Sequence, residues 1–242
     1  GTVNADNIDS FIADHGISTG AFTDIYLGDT FTINYNGSNK TIRVAGFNIY
    51  YGTGDTALWK NHIVCVPDNS LLTAAMNSTN TTGKSANEAN TSDKQAFLGS
   101  DMFNITLKDV DAKLTAIFGG HLLTHRELLS NSMDPNQTSG GMTSWKGASN
   151  NWEWVDVKSM LMSEVEVYGS TVWSSSPYDT GMSNRQLPLF AVEPRFISQA
   201  REWYWLKDVA SSTNFCYAYY GGFSSCYLAS FVLHVRPRFL LG

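Results

Sequence analysis

The sequence predicts an α+β chain with short helices, twisted antiparallel strands and long irregular loops. Three observations lead there. With 242 residues, the chain fits one large domain or two small ones and can bury a core without staples. Charged residues make up only 16% against 43% hydrophobic, below the roughly 25% charged residues of typical soluble domains. Gly, Asn, Ser and Thr are plentiful instead, which is a turn-rich composition and not a disordered one. Apolar residues alternate over short runs, and helical spacing is sustained over only one long stretch.

The elements follow in order. Asn4–Gly16 reads as a short helix with Ile8, Phe11 and Ile12 on one face. Thr30–Tyr35 and Thr41–Gly46 alternate around Asn36-Gly37, a hairpin signal, with Phe47–Tyr51 extending the second strand. His62–Val66 is a compact apolar strand closed by Pro67-Asp68. Ser70–Met76 reads as the start of a helix, and the polar run Asn77–Asn90 as a loop. Ser100–Phe118 is the longest helix, with Phe103, Leu107, Val110, Leu114 and Ile117 at helical spacing. Thr124–Leu129 reads as a short helix or turn, and Met133–Ser149 as a Gly-rich loop. From Trp173 onward there is little helical periodicity. Residues 1–55 are expected to form an N-terminal helix and hairpin region and residues 56–242 a ligand-binding domain, or the two are continuous.

Charge and composition exclude several classes. A net charge of -6 lacks the basic footprint of a nucleic-acid binder. No apolar run approaches the roughly 20 residues of a membrane span, so membrane insertion is not expected. No leader is visible, although the chain begins at Gly1 and not Met, as a processed or excised piece would. Three cysteines, Cys65, Cys216 and Cys226, do not make a disulfide framework.

Candidate chemistry is sparse. His121 and His125 would share a helix face near Glu127, but no third metal ligand can be named, and backbone-bonded histidines are favoured. Glu164 and Glu166 would share a strand face, with Asp156 available; solvated loop carboxylates are the favoured reading. Cys65 sits in an apolar strand and reads as inert. No phosphate loop, dinucleotide fingerprint or nucleophile elbow occurs.

The stretch Ser211–Phe231 stands apart. It holds four Tyr, five Ser, two of the three Cys and no charged residue. Tyr, Ser, Gly and Asn are the palette of antibody-combining loops, where tyrosine offers rigid contact area at low entropic cost. A core strand would favour Val, Ile and Leu. Cys216 and Cys226 are symmetric about Gly221-Gly222 and could face each other across a hairpin; free thiols are favoured.

Several motifs add to this. Trp203-Tyr204-Trp205-Leu206-Lys207-Asp208-Val209 and Val235-Arg236-Pro237-Arg238-Phe239 resemble the two ends of a "WLR … GVRP-x-F" module encoded in phages and prophages. Gly28-Asp29-Thr30-Phe31, Asn61-His62-Ile63, His121–Leu129, Tyr168-Gly169-Ser170 and Gln186–Phe190 match as well. The family is C-type-lectin-like, related to formylglycine-generating enzyme. His234 stands where the module usually has Gly.

The resemblance implies a C-type-lectin-like fold of the kind diversified by diversity-generating retroelements. Carried over position by position, Phe215, Ala218, Gly222, Ser224, Ala229 and Ser230 would be scaffold. Asn214, Tyr217, Tyr219, Tyr220, Phe223, Ser225, Cys226, Tyr227, Leu228 and Phe231 would be displayed, ligand-binding positions. Trp203, Trp205, Arg236 and Pro237 would be structural, with Trp205 buried and Arg236 bonded to carbonyls or a carboxylate. Since strand alternation would bury Tyr217 and Tyr219 with Phe215, the segment is expected to be irregular, leaving Tyr217, Tyr219, Tyr220, Phe223 and Tyr227 accessible.

The implied function is a virion-surface receptor-binding or adhesion protein, made in the bacterial cytoplasm, gripping a bacterial surface protein or glycan. Contacts with other virion proteins and homo-oligomerisation, as a trimer for instance, accompany that expectation. A structural head or tail decoration protein is the alternative. An oxidase is disfavoured, since Cys216 and Cys226 are ten apart in sequence. Calcium-dependent sugar binding is unsupported, since Glu193-Pro194 is followed by Arg195. No enzyme activity and no cofactor are expected.

Overall fold

The computed structural model describes residues 1–133, 149–174 and 185–242. Residues 134–148, most of the expected Gly-rich loop, lie outside the described residues. The described chain is α+β, built mainly from sheets with few short helices. Strands are β1 Thr30–Tyr35, β2 Ser38–Phe47, β3 Ile63–Pro67, β4 Leu72–Ala74, β5 His125–Met133, β6 Ser149–Val157, β7 Ser159–Leu161, β8 Tyr204–Val209, β9 Asn214–Ala218, β10 Ser224–Leu228, β11 Leu233–Val235 and β12 Pro237–Leu241. Helices are α1 Ile8–Asp14, α2 Ala96–Gly99, α3 Leu107–Phe118, α4 Glu164–Tyr168 and α5 Pro188–Val192.

Two five-stranded sheets carry the fold, in the orders β1-β2-β3-β12-β7 and β10-β9-β8-β11-β4, beside the separate hairpin β5-β6. Among these strands every pairing is antiparallel except β8 with β11. β3 and β12 alternate strictly. Ile63, Cys65, Phe239 and Leu241 face a core shared with α1 and α3, whereas Val64, Val66 and Leu240 face a core between the sheets. Strands buried on both faces read as continuous apolar runs, which explains why His62–Val66 is legible. The second sheet turns Tyr204, Leu206, Cys216 and Ala218 to the inter-sheet core, and Trp205, Phe215 and Tyr217 to a third core with α2. β2 pairs with β3, so the first sheet runs across the expected boundary between residues 55 and 56.

Several expected elements are corrected. Leu72–Ala74 is a strand held by β11, not a helix. His125–Met133 is a strand paired with β6, not a helix or turn. The long helix starts later: Met102–Thr106 is a π-helical turn leading into α3. Glu164 and Glu166 lie on α4, a single turn with a capping box at Ser163, and not on a strand.

The Asn-rich loop after β4 makes its own order from short polar side chains. Asp101 is buried and accepts from Ser78 N (2.9 Å), Ser85 Oγ (2.6 Å) and Asn90 Nδ2 (2.9 Å). Asn77 Oδ1 in turn accepts from Asp101 N at 3.0 Å. Buried polar groups persist when paired, so this composition fits a packed loop without an apolar core.

Candidate functional site

The C-terminal uncharged stretch forms a regular hairpin. β9 and β10 pair in register from Asn214↔Leu228 to Ala218↔Ser224. The turn closes through Tyr219 N–H to Phe223 O (2.9 Å) and Gly222 N–H to Tyr219 O (2.8 Å). Gly222 has φ +91°, a conformation that suits glycine.

The turn carries a contiguous set of rings, with Trp203 at its centre. The Trp203 centroid lies 5.0 Å from Tyr219, 5.6 Å from Tyr217, 5.9 Å from Tyr220 and 6.5 Å from Tyr227. Tyr219 lies 4.1 Å from Tyr220 and 4.5 Å from Phe223, and Tyr227 lies 4.4 Å from Phe231. Relative exposure is 41% for Tyr220, 55% for Phe223 and 45% for Phe231, with Val232 beside them at 61%. The Tyr220 hydroxyl, with some burial, pushes the Tyr219 phenol up to about 12, so Tyr219 is neutral at physiological pH.

The ten positions expected to be displayed divide into three groups. Tyr220, Phe223 and Phe231 are exposed, while Tyr219, Ser225, Tyr227 and Leu228 are half-buried. Asn214, Tyr217 and Cys226 are buried. The expectation of an irregular segment with Tyr217 accessible is therefore corrected. The strand is regular, and alternation sends Tyr217 under Trp203 and against Trp205 at 6.3 Å. Rings come to the surface only where the ladder ends, at the turn, and beyond β10. Cys226 faces the inter-sheet core, where burial pushes its thiol up to about 12. Asn214 turns its amide toward Cys226 Sγ at 3.8 Å.

The frame beneath is rigid. Phe215, Ala218, Ser224 and Ala229 are buried, as expected of scaffold. Trp205 is fully buried and donates Nε1–H to Ala74 O at 3.0 Å. Arg236 donates to the carbonyls of Pro67 (2.7 Å) and Phe196 (3.0 Å), the backbone partners a buried guanidinium needs. Trp203, expected to be structural, is half-buried and packs against four tyrosines, so it also borders the candidate surface; neither it nor Val232 was among the positions expected to be displayed.

Glu164 ties the hairpin to its neighbours. Its carboxylate accepts from Val172 N (3.0 Å), Trp173 N (3.1 Å), Ser174 N (3.0 Å), Ser174 Oγ (2.8 Å) and Ser224 Oγ. Trp173 Nε1 also donates to Ser224 O at 3.1 Å. Glu166 points elsewhere, so the two glutamates do not pair.

Glu166 belongs to a fully buried charge cluster between the sheets. Arg238 donates to Glu166 (2.8 Å) and to Glu127, Lys207 donates to Glu127 (2.9 Å), and Tyr50 donates to Glu166. His125 Nε2 lies 2.7 Å from Glu127. Burial opposes ionisation of Glu127, but Arg238 and Lys207 hold its carboxyl well below the usual range. Two carboxylates against two cations leave the cluster neutral, as buried charges require. His121 bonds instead to Asp9 (2.7 Å) and Gly242 O (2.9 Å), so the two histidines do not converge. Among the described residues no group of three or more His, Cys, Asp or Glu is placed to hold a metal ion.

No family model matches the chain, and neither the curated proteins nor the solved structures hold a significant match.

Proposed function

We propose that the protein is a virion-displayed receptor-binding or adhesion protein with a C-type-lectin-like fold, which grips a bacterial surface protein or glycan through the β9–β10 hairpin. One observation carries this reading: an uncharged, contiguous aromatic patch centred on Trp203, exposed at the hairpin turn and held on a rigid buried frame. Exposed aromatic patches on a folded protein usually mark interaction sites, and Trp and Tyr dominate binding hot spots. The resemblance of the Trp203–Val209 and Val235–Phe239 segments to the phage module supports the same reading. The frame and the patch divide the work as a diversified binder would: buried positions keep the fold, and the turn and its flanks recognise.

The test is adsorption of fluorescent protein to a panel of bacterial cells. Joint replacement of Tyr219, Tyr220 and Tyr227 by Ala should leave the melting transition cooperative and lower affinity at least roughly 100-fold, slightly more than one hot-spot contact. Undiminished adsorption, or a variant that unfolds, would overturn the reading. Stoichiometric uptake into particles without cell binding would favour the decoration role.

A further inference from the structure

The hairpin carries a second feature on the face opposite its aromatic patch. Cys216 on β9 and Cys226 on β10 are directly opposed, and both face the inter-sheet core with Ala218. The ladder also defines what kind of pair they are. Tyr219 N–H donates to Phe223 O at one end, and Ala229 N–H to Thr213 O at the other. Hydrogen-bonded and non-hydrogen-bonded pairs alternate along an antiparallel ladder. Counting inward from either end makes Cys216–Cys226 a non-hydrogen-bonded pair. Such pairs bring Cα atoms to about 4.5 Å with side chains close, inside the roughly 4.4–6.8 Å that a disulfide spans. All three cysteines are thiols in the structure. Cys65 differs from the other two, because its strand neighbours are Val44 and Phe239.

We propose that Cys216 and Cys226 are an oxidisable pair, which a small disulfide oxidant such as oxidised glutathione converts to a cross-strand disulfide that locks the hairpin. This goes beyond the recognition reading and stands without it. Both thiols face the core, Cys216 at 0% exposure and Cys226 at 9%, so exchange starts at Cys226 when its edge strand β10 opens locally and lets the thiol ionise. Its thiolate attacks one sulfur of oxidised glutathione, the glutathione S–S bond breaks, and one glutathione thiolate leaves. The Cys216 thiolate then attacks the Cys226 sulfur and displaces the second glutathione. The two thiol protons end on the two glutathiones, and two electrons pass from the cysteines to the oxidant.

The experiment uses the intact chain and oxidised glutathione, followed by acid quench, alkylation in denaturant and tryptic mapping. No Lys or Arg lies between Lys207 and Arg236, so Cys216 and Cys226 share one peptide and Cys65 falls on another. That shared peptide should become unalkylated and lighter by two hydrogens while Cys65 stays alkylated. The oxidised protein should melt higher by about 5 °C, and dithiothreitol should reverse the gain. A shared peptide that remains alkylated at both sites, or stops at a glutathione adduct, overturns the proposal. The unaltered chain decides it, and Cys65→Ser, which should leave the oxidation unchanged, serves as the control variant.

Discussion

His62 is buried beside β3 and is held as a neutral ring. Its Nδ1 lies 2.9 Å from Lys60 O, and its Nε2 accepts the Tyr50 amide at 3.2 Å. Burial is the largest influence on its pKa, followed by the Lys60 bond pulling the other way, and together with His125 and Arg238 the outcome is a fall from 6.5 to about 4. Protonation would remove the acceptor that Tyr50 uses. The unfolded chain therefore binds a proton between about pH 6.5 and 4 that the folded chain refuses. Stability should drop as pH falls through that window, by roughly 3 kcal/mol from this group, and this contribution should level off below it. Urea midpoints measured between about pH 7 and pH 4 should show the slope. His62→Asn should be less stable at neutral pH but lose less on acidification; an equal slope in the variant would assign the acid loss to other groups.

At the scale of elements, Glu164 determines how firmly the turn end of the hairpin is held, through Ser224. Glu164→Gln would set an amide N–H₂ among backbone and hydroxyl donors, leaving buried donors unmatched at a cost of about 2–3 kcal/mol. Amide exchange at Val172, Trp173 and Ser174 should speed up more than tenfold while Phe239 keeps its protection; unchanged exchange there would mean the segment is held by other contacts. This arrangement was not legible in the sequence, because the donors lie eight to sixty positions away. The N-terminal hairpin was legible because Thr30–Tyr35 alternates and Asn36-Gly37 marks the turn. β4 and β5 were not, since three residues give no period, and His125–Leu129 holds only two apolar residues, the adjacent Leu128 and Leu129, which set no period either. Glu127 looks like a solvent-facing residue until Arg238 and Lys207 arrive from distant strands. The Tyr-rich palette pointed to the site, but only the hairpin geometry separates buried Tyr217 from exposed Tyr220 and brings Trp203 into the patch.

For the whole molecule, the pairing of β2 with β3 and of β3 with β12 makes the N-terminal hairpin part of the same sheet as the C-terminal strands. Unfolding should accordingly be one cooperative transition. Amide exchange in β2 and in β8 should converge on one opening free energy as urea is raised, and a separately melting β1–β2 unit would contradict it. The chain passes between its sheets in a few residues: β11 joins β4 and β8, and after Arg236 β12 enters between β3 and β7. During synthesis, neither sheet can close until that crossing has left the ribosome. β3 is made long before it and β8 shortly before it, and each waits with an open edge, the kind of surface that invites mispairing with other nascent chains. Translation must therefore have passed Leu241 before either sheet can close, and a chaperone that shields strand edges has most to do in that interval.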